Sequence, residues 1–459
     1  MTRKHGWEAL ALVALLALAG VLFARALQTR ANFDEGVYLA SLDALRHGQA
    51  LGTVVDVPQP PGFYVLLQLF GAVFGHGVAD VRVGFLLVAL AGLVAAFVVG
   101  RAVAGSPGGL AAAGLLAVTA PYPAQAAQVE ADTVSTVLAL AAVAFLIGRK
   151  AGPPHAAAAG ALAAAAVSVK LLALPLAAPL AVLLIARRSW RQAAAFGAGA
   201  LVVVAALAIR YAYALGALWD SVVVEHRNAQ SLGSFGSNVH RVLLHPLDWH
   251  TPAGLLIPIG IVFAALFARG VEAAALGAWI VACAAFLLYQ RPLLDHHLVL
   301  LATVLAVTAG VGYGGAAKRL RRPMLAVGVS LLAVALALGF FQEGNRLAGD
   351  DQPEPPEVRW AVDQVRAKTR PAELVATDLP IVAYLSDRRI PGQLIDSSYG
   401  RLLSGTQTTA EILAVLRREH VRAVVVGRNY RLKPDLIAAL RARYPRRLAN
   451  RGVTLYLAR

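Results

Sequence analysis

The amino-acid sequence predicts an α-helical polytopic membrane protein with a small α/β domain at its C-terminal end. Hydrophobic residues make up 58% of the 459 residues, a share above that of ordinary soluble domains. Apolar runs rich in Ala, Leu and Val recur from residue 8 to residue 341. Beyond residue 341 they give way to short alternating segments, which are typical of strands and amphipathic helices.

Apolar segments long enough to cross a bilayer define the predicted spans, because a helix needs about 20 residues to traverse the hydrocarbon layer. A shorter apolar segment, 62–75, follows Pro60 and Pro61, and we expect it to lie at the membrane interface rather than cross. We expect a break at 168–170, because one helix over 155–186 would be too long for a single crossing. The eleven predicted spans are 7–28, 84–101, 108–123, 132–148, 155–169, 171–186, 193–213, 252–268, 272–289, 296–314 and 323–341.

The net charge of +16 comes from short basic clusters between the apolar segments. This distribution encodes membrane topology and argues against a nucleic-acid groove. If segment 62–75 does not cross, all dense clusters lie on one side, which the positive-inside rule assigns to the cytoplasm together with the N-terminus. Segment 7–28 is interpreted as an uncleaved first span rather than a signal peptide. The clusters are Arg3-Lys4, Arg101, Arg149-Lys150, Arg187-Arg188-Arg191, Arg269 and Lys318–Arg322.

Three regions follow from these patterns. Residues 1–341 form a transmembrane module whose first outer loop, 29–83, carries juxtamembrane helices. Residues 342–357 are a polar, Pro-rich linker, and residues 358–459 form a small α/β domain on the outer face. Strands are expected at "AELVATD", "VRAVVVG" and "GVTLYLAR", with helices between them. The single cysteine, Cys283, lies in an apolar segment, which excludes an internal disulfide and a cysteine-based metal site.

Pairs of acids mark the outer ends of two predicted spans. Asp34 and Glu35 follow the first span, and Glu130 and Asp132 stand where the fourth begins. Helix capping is the alternative interpretation, because a carboxylate near a helix N-terminus stabilises the unpaired amides and the helix dipole. Capping accounts for one acid of the first pair better than for two.

Cations stand near the outer ends of other spans: Lys170, Arg210 and Arg291, with His296 and His297 close behind the last. A charge at membrane depth costs about 3 kcal/mol on insertion scales, so it usually faces a cavity or a partner. For Lys170 the alternative is snorkelling to the surface. Carboxylates and cations on one face suit a lipid substrate with an anionic head group. A carboxylate takes a proton from an acceptor hydroxyl, and cations stabilise a departing phosphate.

Several motifs together resemble the GT-C glycosyltransferases, in the protein O-mannosyltransferase and aminoarabinose-transferase branch called family 39 or RgtA/B/C/D-like. They are "FDEGVYL" after the first span, "PQPPGFYVLLQLFG" in the outer loop, and "QVEADTVSTVLAL" about a hundred residues beyond the first acid. The resemblance covers residues 1–215 well and is thinner for 216–341. In the C-terminal tail, residues 342–459, it extends only to the general type of domain.

The resemblance implies transfer of a sugar from a polyprenyl-phosphate donor on the outer face, with inversion. It assigns Asp34 as the general base and Glu35 as a second catalytic acid. The family's acid in the second outer loop corresponds to Asp132, with Glu130 as the near alternative.

Substrate binding is assigned to residues at the same face. Contacts to the lipid phosphate fall to Lys170 and Arg291, by position more than by motif. Some relatives carry Glu-Lys before the two prolines, where this chain has Pro58-Gln59, which leaves a charged or metal-binding role there in doubt. Further candidates for substrate binding are Glu130, Gln59, Tyr64, His296 and His297.

No cofactor is expected. A donor that carries no nucleotide needs no Gly-rich phosphate loop, and the sequence contains none. A divalent metal between Asp34 and Asp132 is an alternative that the phosphate-binding cations make unnecessary. The expected partners are the polyprenyl-phosphate sugar, a lipid, glycan or protein acceptor, and membrane lipids, without nucleic acid. The expected location is the inner membrane of a bacterial cell.

The competing interpretation is a multi-spanning transporter or flippase of envelope glycolipids. Transporters tend to have paired repeats and polar, broken helices at mid-membrane. Here the spans are apolar along their middles and the acids stand at the rim. In the tail, Asp378 and Asp396 lie near predicted strand ends, where α/β domains often bind ligands. They are interpreted as ordinary loop acids.

Overall fold

The computed structural model describes residues 6–148, 152–245, 247, 250–350 and 354–458. Part of the topology prediction rests on Arg3, Lys4, Arg149 and Lys150, which lie outside the described residues. Helices are the main elements, and a small sheet lies near the C-terminal end.

The helices of the described chain are α1 (Gly6–Ala24), α2 (Phe33–Arg46), α3 (Pro61–Phe74), α4 (Val78–Ala104), α5 (Ser106–Ala117), α6 (Pro121–Gln125), α7 (Ala131–Leu146), α8 (Pro153–Val169), α9 (Ala177–Arg187), α10 (Trp190–Arg210), α11 (Leu215–Trp219), α12 (Glu225–Asn228), α13 (Phe235–Leu244), α14 (Pro252–Phe267), α15 (Val271–Tyr289), α16 (Val299–Ala317), α17 (Arg322–Asp350), α18 (Pro356–Lys368), α19 (Pro380–Leu385), α20 (Tyr399–Leu403), α21 (Thr409–Arg418) and α22 (Pro434–Arg443). The strands are β1 (Val375–Thr377), β2 (Ala423–Val426), β3 (Arg446–Asn450) and β4 (Val453–Leu457).

All eleven predicted spans are helical over most of their length. In the described part of the chain six helices are long and apolar enough to cross a membrane: Gly6–Gln28, Val78–Ala104, Trp190–Arg210, Val271–Tyr289, Asp295–Ala317 and Pro323–Gly349. The other predicted spans form shorter apolar helices, as does the predicted interfacial segment at Pro61–Phe74.

Two helix boundaries differ from the sequence prediction, and a third agrees with it. The span predicted at 108–123 stops at Ala117 and resumes as the short α6, because Pro121 and Pro123 cannot continue a helical hydrogen-bond ladder. The predicted linker 342–357 is helical as far as Asp350, since the chain meets no proline before Pro353 and Arg346 pairs with Glu343 at 2.6 Å. The predicted break at 168–170 is confirmed, because α8 ends at Val169.

The chain divides into two compact units. Unit 1 comprises Met1–Gln28, Arg82–Leu207 and Phe235–Asp351, and unit 2 comprises Thr29–Val81, Ala208–Ser234 and Gln352–Arg459. The hydrophobic core of unit 1 is formed mainly by its apolar helices, with α16 almost entirely buried. No residue of α10 is buried.

Small residues let α16 pack closely against two other helices of unit 1. A Cβ atom added at Gly310 would overlap the backbone of Ala112 in α5, and one added at Gly312 would overlap the carbonyl oxygen of Gly260 in α14. Such contacts between small residues hold membrane helices together, because lipid tails give apolar side chains little reason to leave them.

The sheet of unit 2 has the order β1-β2-β4-β3. β1 and β2 are parallel, with Val375 opposite Ala423, and the other two pairings are antiparallel. The predicted strands correspond to β1, β2 and β4. The sequence prediction missed β3, because "RRLAN" is polar and largely exposed and carries no alternating apolar pattern. α2 packs closely on α19, where a Cβ at Gly36 would meet the Ile381 nitrogen at 2.9 Å.

The glycine contacts of α16 give the first testable prediction. Gly312→Ala should destabilise the protein by about 1–3 kcal/mol, because the added methyl group overfills a packed contact. Gly277→Ala on α15 is the matched control, since nothing lies within 4 Å of its position. Thermal unfolding in detergent compares the two variants, and equal midpoints would show that α16 is not tightly packed there.

Candidate active-site residues in the two units

Asp34 and Glu35 lie in the first turn of α2, and neither is needed to cap the helix. The cap is Asn32, whose side-chain oxygen accepts a hydrogen bond from the Glu35 backbone nitrogen at 2.8 Å. Glu35 is fully buried and Asp34 is half-buried. Since Asn32 supplies the side-chain cap, neither acid is the N-cap residue, and what remains of the alternative is their favourable position in the helix dipole.

The predicted binding residues Gln59 and Tyr64 lie with α2 in unit 2. Gln59 Nε2 donates to the Tyr38 hydroxyl at 2.9 Å. The ring of Phe63 packs edge-on against Tyr38, with 4.6 Å between centroids, and Tyr64 packs against Phe63 at 5.4 Å. Burial raises the pKa of the Tyr64 phenol well above its usual value, with a further contribution from Asp396. The Tyr64 hydroxyl therefore stays protonated, and it makes no hydrogen bond within the described chain.

A second polar cluster in unit 2 was not found by sequence reasoning. Arg401 from α20 pairs with Asp56, and its Nη2 lies 3.1 Å from Glu225 Oε1. Asp56 Oδ1 also accepts a hydrogen bond from Ser221 Oγ at 2.9 Å. Burial raises the pKa of Asp396. The charge of Arg401 lowers this pKa, and the charge of Asp34 raises it further. The sequence held one signal for this cluster, the "DVPQPP" motif that begins at Asp56.

Asp378 has a structural role, in agreement with its interpretation as a loop acid. Its carboxylate accepts hydrogen bonds from the backbone nitrogens of Gly427 and Tyr430, the latter at 2.8 Å. These bonds tie the end of β1 to the loop after β2. Burial raises the pKa of Asp378, and the two backbone donors act against that rise.

In unit 1 the acid at the start of α7 is paired with the lysine at the break after α8. Lys170 Nζ lies 2.6 Å from Asp132 Oδ2, and both residues are buried. Snorkelling is therefore wrong for Lys170. Its backbone is extended, with φ −156° and ψ 132°, because the chain changes direction between α8 and the 3₁₀ helix Leu171–Leu176.

The second oxygen of Asp132, Oδ1, is buried and has no hydrogen-bond partner in the described chain. Leaving such an acceptor unsatisfied costs about 1–3 kcal/mol. Glu130 stands at the N-cap position of α7, and its side chain does not cap the helix. Asp132 therefore keeps one buried acceptor available for a donor group.

The two histidines lie in the 3₁₀ turn Asp295–Leu298 that leads into α16. Their rings meet edge to face, with 4.4 Å between centroids. Gln125 Nε2 donates to the His296 carbonyl oxygen at 3.0 Å. Ligand atoms of Asp132, His296 and His297 lie within 4.8 Å of one another. In the described part of unit 1, these three side chains could hold a divalent cation, since carboxylate oxygen and imidazole nitrogen are suitable ligands.

Two other predicted cations do not join this cluster. Among the described residues Arg291 makes no ion pair, and its buried Nε has no hydrogen-bond partner. Arg210 donates to the Tyr211 hydroxyl at 3.3 Å. Asp295 forms an ion pair with Arg241, with 2.9 Å between Asp295 Oδ1 and Arg241 Nη1. Unit 1 thus brings together Asp132, Lys170 and the two histidines.

The many apolar helices and the small C-terminal sheet define a polytopic membrane protein with the GT-C fold, as the sequence predicts. Residues 58–211 match the family model described as dolichyl-phosphate-mannose-protein mannosyltransferase. No curated protein matches the chain by sequence.

Solved structures share this fold over nearly the whole chain. ArnT from Cupriavidus metallidurans in the apo state is similar with a TM-score of 0.70 and 17% identity, over 99% of this chain and 98% of that one. ArnT bound to undecaprenyl phosphate gives a TM-score of 0.68 at 15% identity, over 98% of each chain. The Archaeoglobus fulgidus oligosaccharyltransferase gives 0.60 at 12%, over 91% of this chain and 69% of that one. The resemblance found in the sequence, to the protein mannosyltransferase and aminoarabinose-transferase branch, is confirmed by the family match over residues 58–211 and by the shared fold.

The ion pair of Lys170 and Asp132 gives the second prediction. Lys170→Met should destabilise the protein by about 3–5 kcal/mol, because it leaves a buried carboxylate without its partner. The double variant with Asp132→Asn should recover much of that loss. Thermal unfolding of the single and double variants measures the coupling.

Asp295→Asn is the control for this cycle, because its carboxylate is 71% exposed in its pair with Arg241 and exposed pairs contribute about 1 kcal/mol or less. Additive effects of Lys170→Met and Asp132→Asn would contradict the pairing.

Glu225 gives a prediction of pH dependence. Burial raises the pKa of Glu225 from 4.5 to about 7, and Arg401 only partly offsets the rise. The folded state therefore holds this proton more tightly than the unfolded chain, so stability falls as pH rises from about 4.5 to about 7 and then levels off. Relative to Glu225→Gln, the wild-type unfolding midpoint should fall across this range. A constant difference between pH 5 and pH 8 would refute the prediction.

Proposed function

We propose that the chain is an integral membrane glycosyltransferase that moves a sugar from a polyprenyl-phosphate donor to an acceptor hydroxyl on the outer face of the membrane. The match to a mannosyltransferase family supports this proposal. So does the fold shared with ArnT bound to undecaprenyl phosphate and with the archaeal oligosaccharyltransferase AglB in complex with an inhibitory peptide and a dolichol-phosphate. We place the protein in a bacterial inner membrane, with its N-terminus in the cytoplasm.

The observation that carries the proposed chemistry is Asp34, a half-buried acid in the first turn of a helix that Asn32 already caps. Asp34 takes the proton of the acceptor hydroxyl while that oxygen attacks the anomeric carbon. The new carbon–oxygen bond forms as the bond to the lipid phosphate breaks, which inverts the configuration. General-base catalysis of this kind contributes typically 10²–10⁴-fold to the rate.

Lys170 and Arg291 are the proposed partners of the lipid phosphate. The Lys170 ammonium is held by Asp132 at 2.6 Å, so a negative charge that develops on the phosphate meets an oriented cation in apolar surroundings. The Arg291 guanidinium is not occupied by any carboxylate of the described chain. These cations supply the required positive charge without a metal.

Sugar hydroxyls are the donors proposed for the unpaired acceptor of Asp132. Its Oδ1 is buried without a partner in the described chain, and a hydroxyl of the donor sugar satisfies it. Glu35, Glu130 and the two histidines complete the proposed set of substrate contacts, together with Gln59 and Tyr64. The acceptor class stays open among lipids, glycans and proteins.

Replacing Asp34 by Asn tests the proposed base. Transfer from a radiolabelled polyprenyl-phosphate sugar should fall by at least about 100-fold, because the amide cannot accept the hydroxyl proton. Asp43→Asn, on the same helix and paired with Arg46 at the surface, should keep its activity. Purified protein in liposomes is assayed for labelled product.

Two other results would remove parts of the proposal. Retained transfer in Asp34→Asn would exclude Asp34 as the base. Movement of the labelled lipid across the bilayer without cleavage would replace the enzyme by a flippase.

A further inference from the structure

The C-terminal tail supplies unit 2 with a buried arginine that the proposed chemistry does not use. The Arg401 side chain is 11% exposed and pairs with Asp56 and Glu225. Its Nη1 also donates to the backbone oxygen of Asp396 at 3.4 Å. One guanidinium therefore joins the first loop, the segment around residue 225 and the tail, which are far apart in sequence.

A short chain of contacts leads from Asp56 to the helix that bears Asp34. Three residues beyond Asp56, Gln59 donates from Nε2 to the Tyr38 hydroxyl at 2.9 Å. Both partners are buried, so this bond is sheltered from competing water. Tyr38 follows Asp34 by four residues in α2, and side chains four apart share one face of a helix.

A second contact with the tail holds the same loop. The Asp56 backbone nitrogen donates to the Gly392 carbonyl oxygen at 3.3 Å. A Cβ at Gly392 would overlap the Val54 carbonyl oxygen, so the tail lies directly on the chain just before Asp56. The loop is thus fixed by backbone packing on one side and by Arg401 on the other.

Asp34 lies in the same unit as Asp396 and acts on it electrostatically. Burial is the main cause that raises the pKa of Asp396, Arg401 lowers it, and the charge of Asp34 adds to the rise. The charge of Asp34 therefore acts on Asp396, the residue whose backbone oxygen accepts a hydrogen bond from Arg401.

Stability alone gives a weak reason for such a cluster. Buried ion pairs are often no more stable than apolar side chains of the same size, because desolvation offsets their attraction. A guanidinium does supply fixed geometry, since its planar fork binds carboxylates in defined directions.

We propose that Arg401 is a positioning residue for sugar transfer, which by holding Asp56 fixes the loop that carries Gln59 against the face of α2 that bears Asp34. This inference rests on the proposed function. The C-terminal tail then contributes to catalysis through Arg401, which orients the region of the general base without touching the reacting atoms.

Kinetics and hydrogen exchange of Arg401→Gln test this role. The variant should lower kcat about 10- to 100-fold, because small displacements of a catalytic group have effects of this size. The KM for the polyprenyl-phosphate sugar should rise by a smaller factor than kcat falls, because Gln59 is only one of several proposed substrate contacts. Amide exchange should rise in peptides covering residues 33–46 and 56–64.

Two variants sharpen the comparison. Arg401→Lys keeps the charge without the fork and should give an intermediate kcat. Arg447→Gln, at an exposed position of β3 in the same tail, should match the wild type in both measurements. If Arg401→Gln fails to fold, Tyr38→Phe replaces it, because it removes the hydroxyl that accepts from Gln59. This variant should also lower kcat by a larger factor than it raises KM.

The outcomes separate the inference from the proposed function. Wild-type kcat in Arg401→Gln, or in Tyr38→Phe where that variant is used, would overturn the positioning role while leaving the glycosyltransferase intact. A loss confined to KM, or exchange that does not rise in the two peptides, would overturn it as well. Absence of transfer by the wild-type protein would overturn the proposed function, and the positioning role with it.

Discussion

The ion pair of Lys170 with Asp132 is the contact on which the candidate site in unit 1 depends, because both residues are buried and a buried charge without a partner is costly. An isolated charge there would have to be neutralised or moved to water. At 2.6 Å the two groups compensate each other and fix the ammonium in one direction. The pair also links the first turn of α7 to Lys170, the residue at which α8 ends.

The packing of α16 supports the same region from the other side. The turn with His296 and His297 leads directly into α16, and Gly310 and Gly312 set how closely that helix approaches α5 and α14. A larger residue at either glycine would overlap the neighbouring helix, so these glycines allow the close packing of α16.

In unit 2 the acids are paired with the guanidinium of Arg401, where in unit 1 Asp132 is paired with the ammonium of Lys170. Arg401 has enough donors to bind carboxylates from separate segments, which a lysine cannot do with the same directionality. Burial raises the pKa values of Glu225 and Asp396, and the charge of Arg401 acts against both rises. The cluster is therefore held together by the tail, and the helix with Asp34 shares its surroundings.

Local pattern was sufficient to predict the apolar helices, the break before Lys170 and the acids at the span ends, but not the short helices α11, α12 and α13. Each depends on hydrophobic run length, proline position or a polar residue in an apolar setting, and all of these can be read within about 20 residues. The Asn32 cap also lay within that range but was overlooked beside two acids. The GT-C architecture was expected from the resemblance of three motifs, "FDEGVYL", "PQPPGFYVLLQLFG" and "QVEADTVSTVLAL", to that family.

Only the tertiary structure decided which polar groups meet. Arg401 binds Asp56 and Glu225 across 345 and 176 positions of sequence, and Lys170 binds Asp132 across 38. Pairings over such separations leave no periodic trace in a single sequence, because they depend on how helices and loops pack rather than on neighbouring residues. The polar edge strand β3 was missed for the same reason, since its place is set by pairing with β4 and not by its own composition.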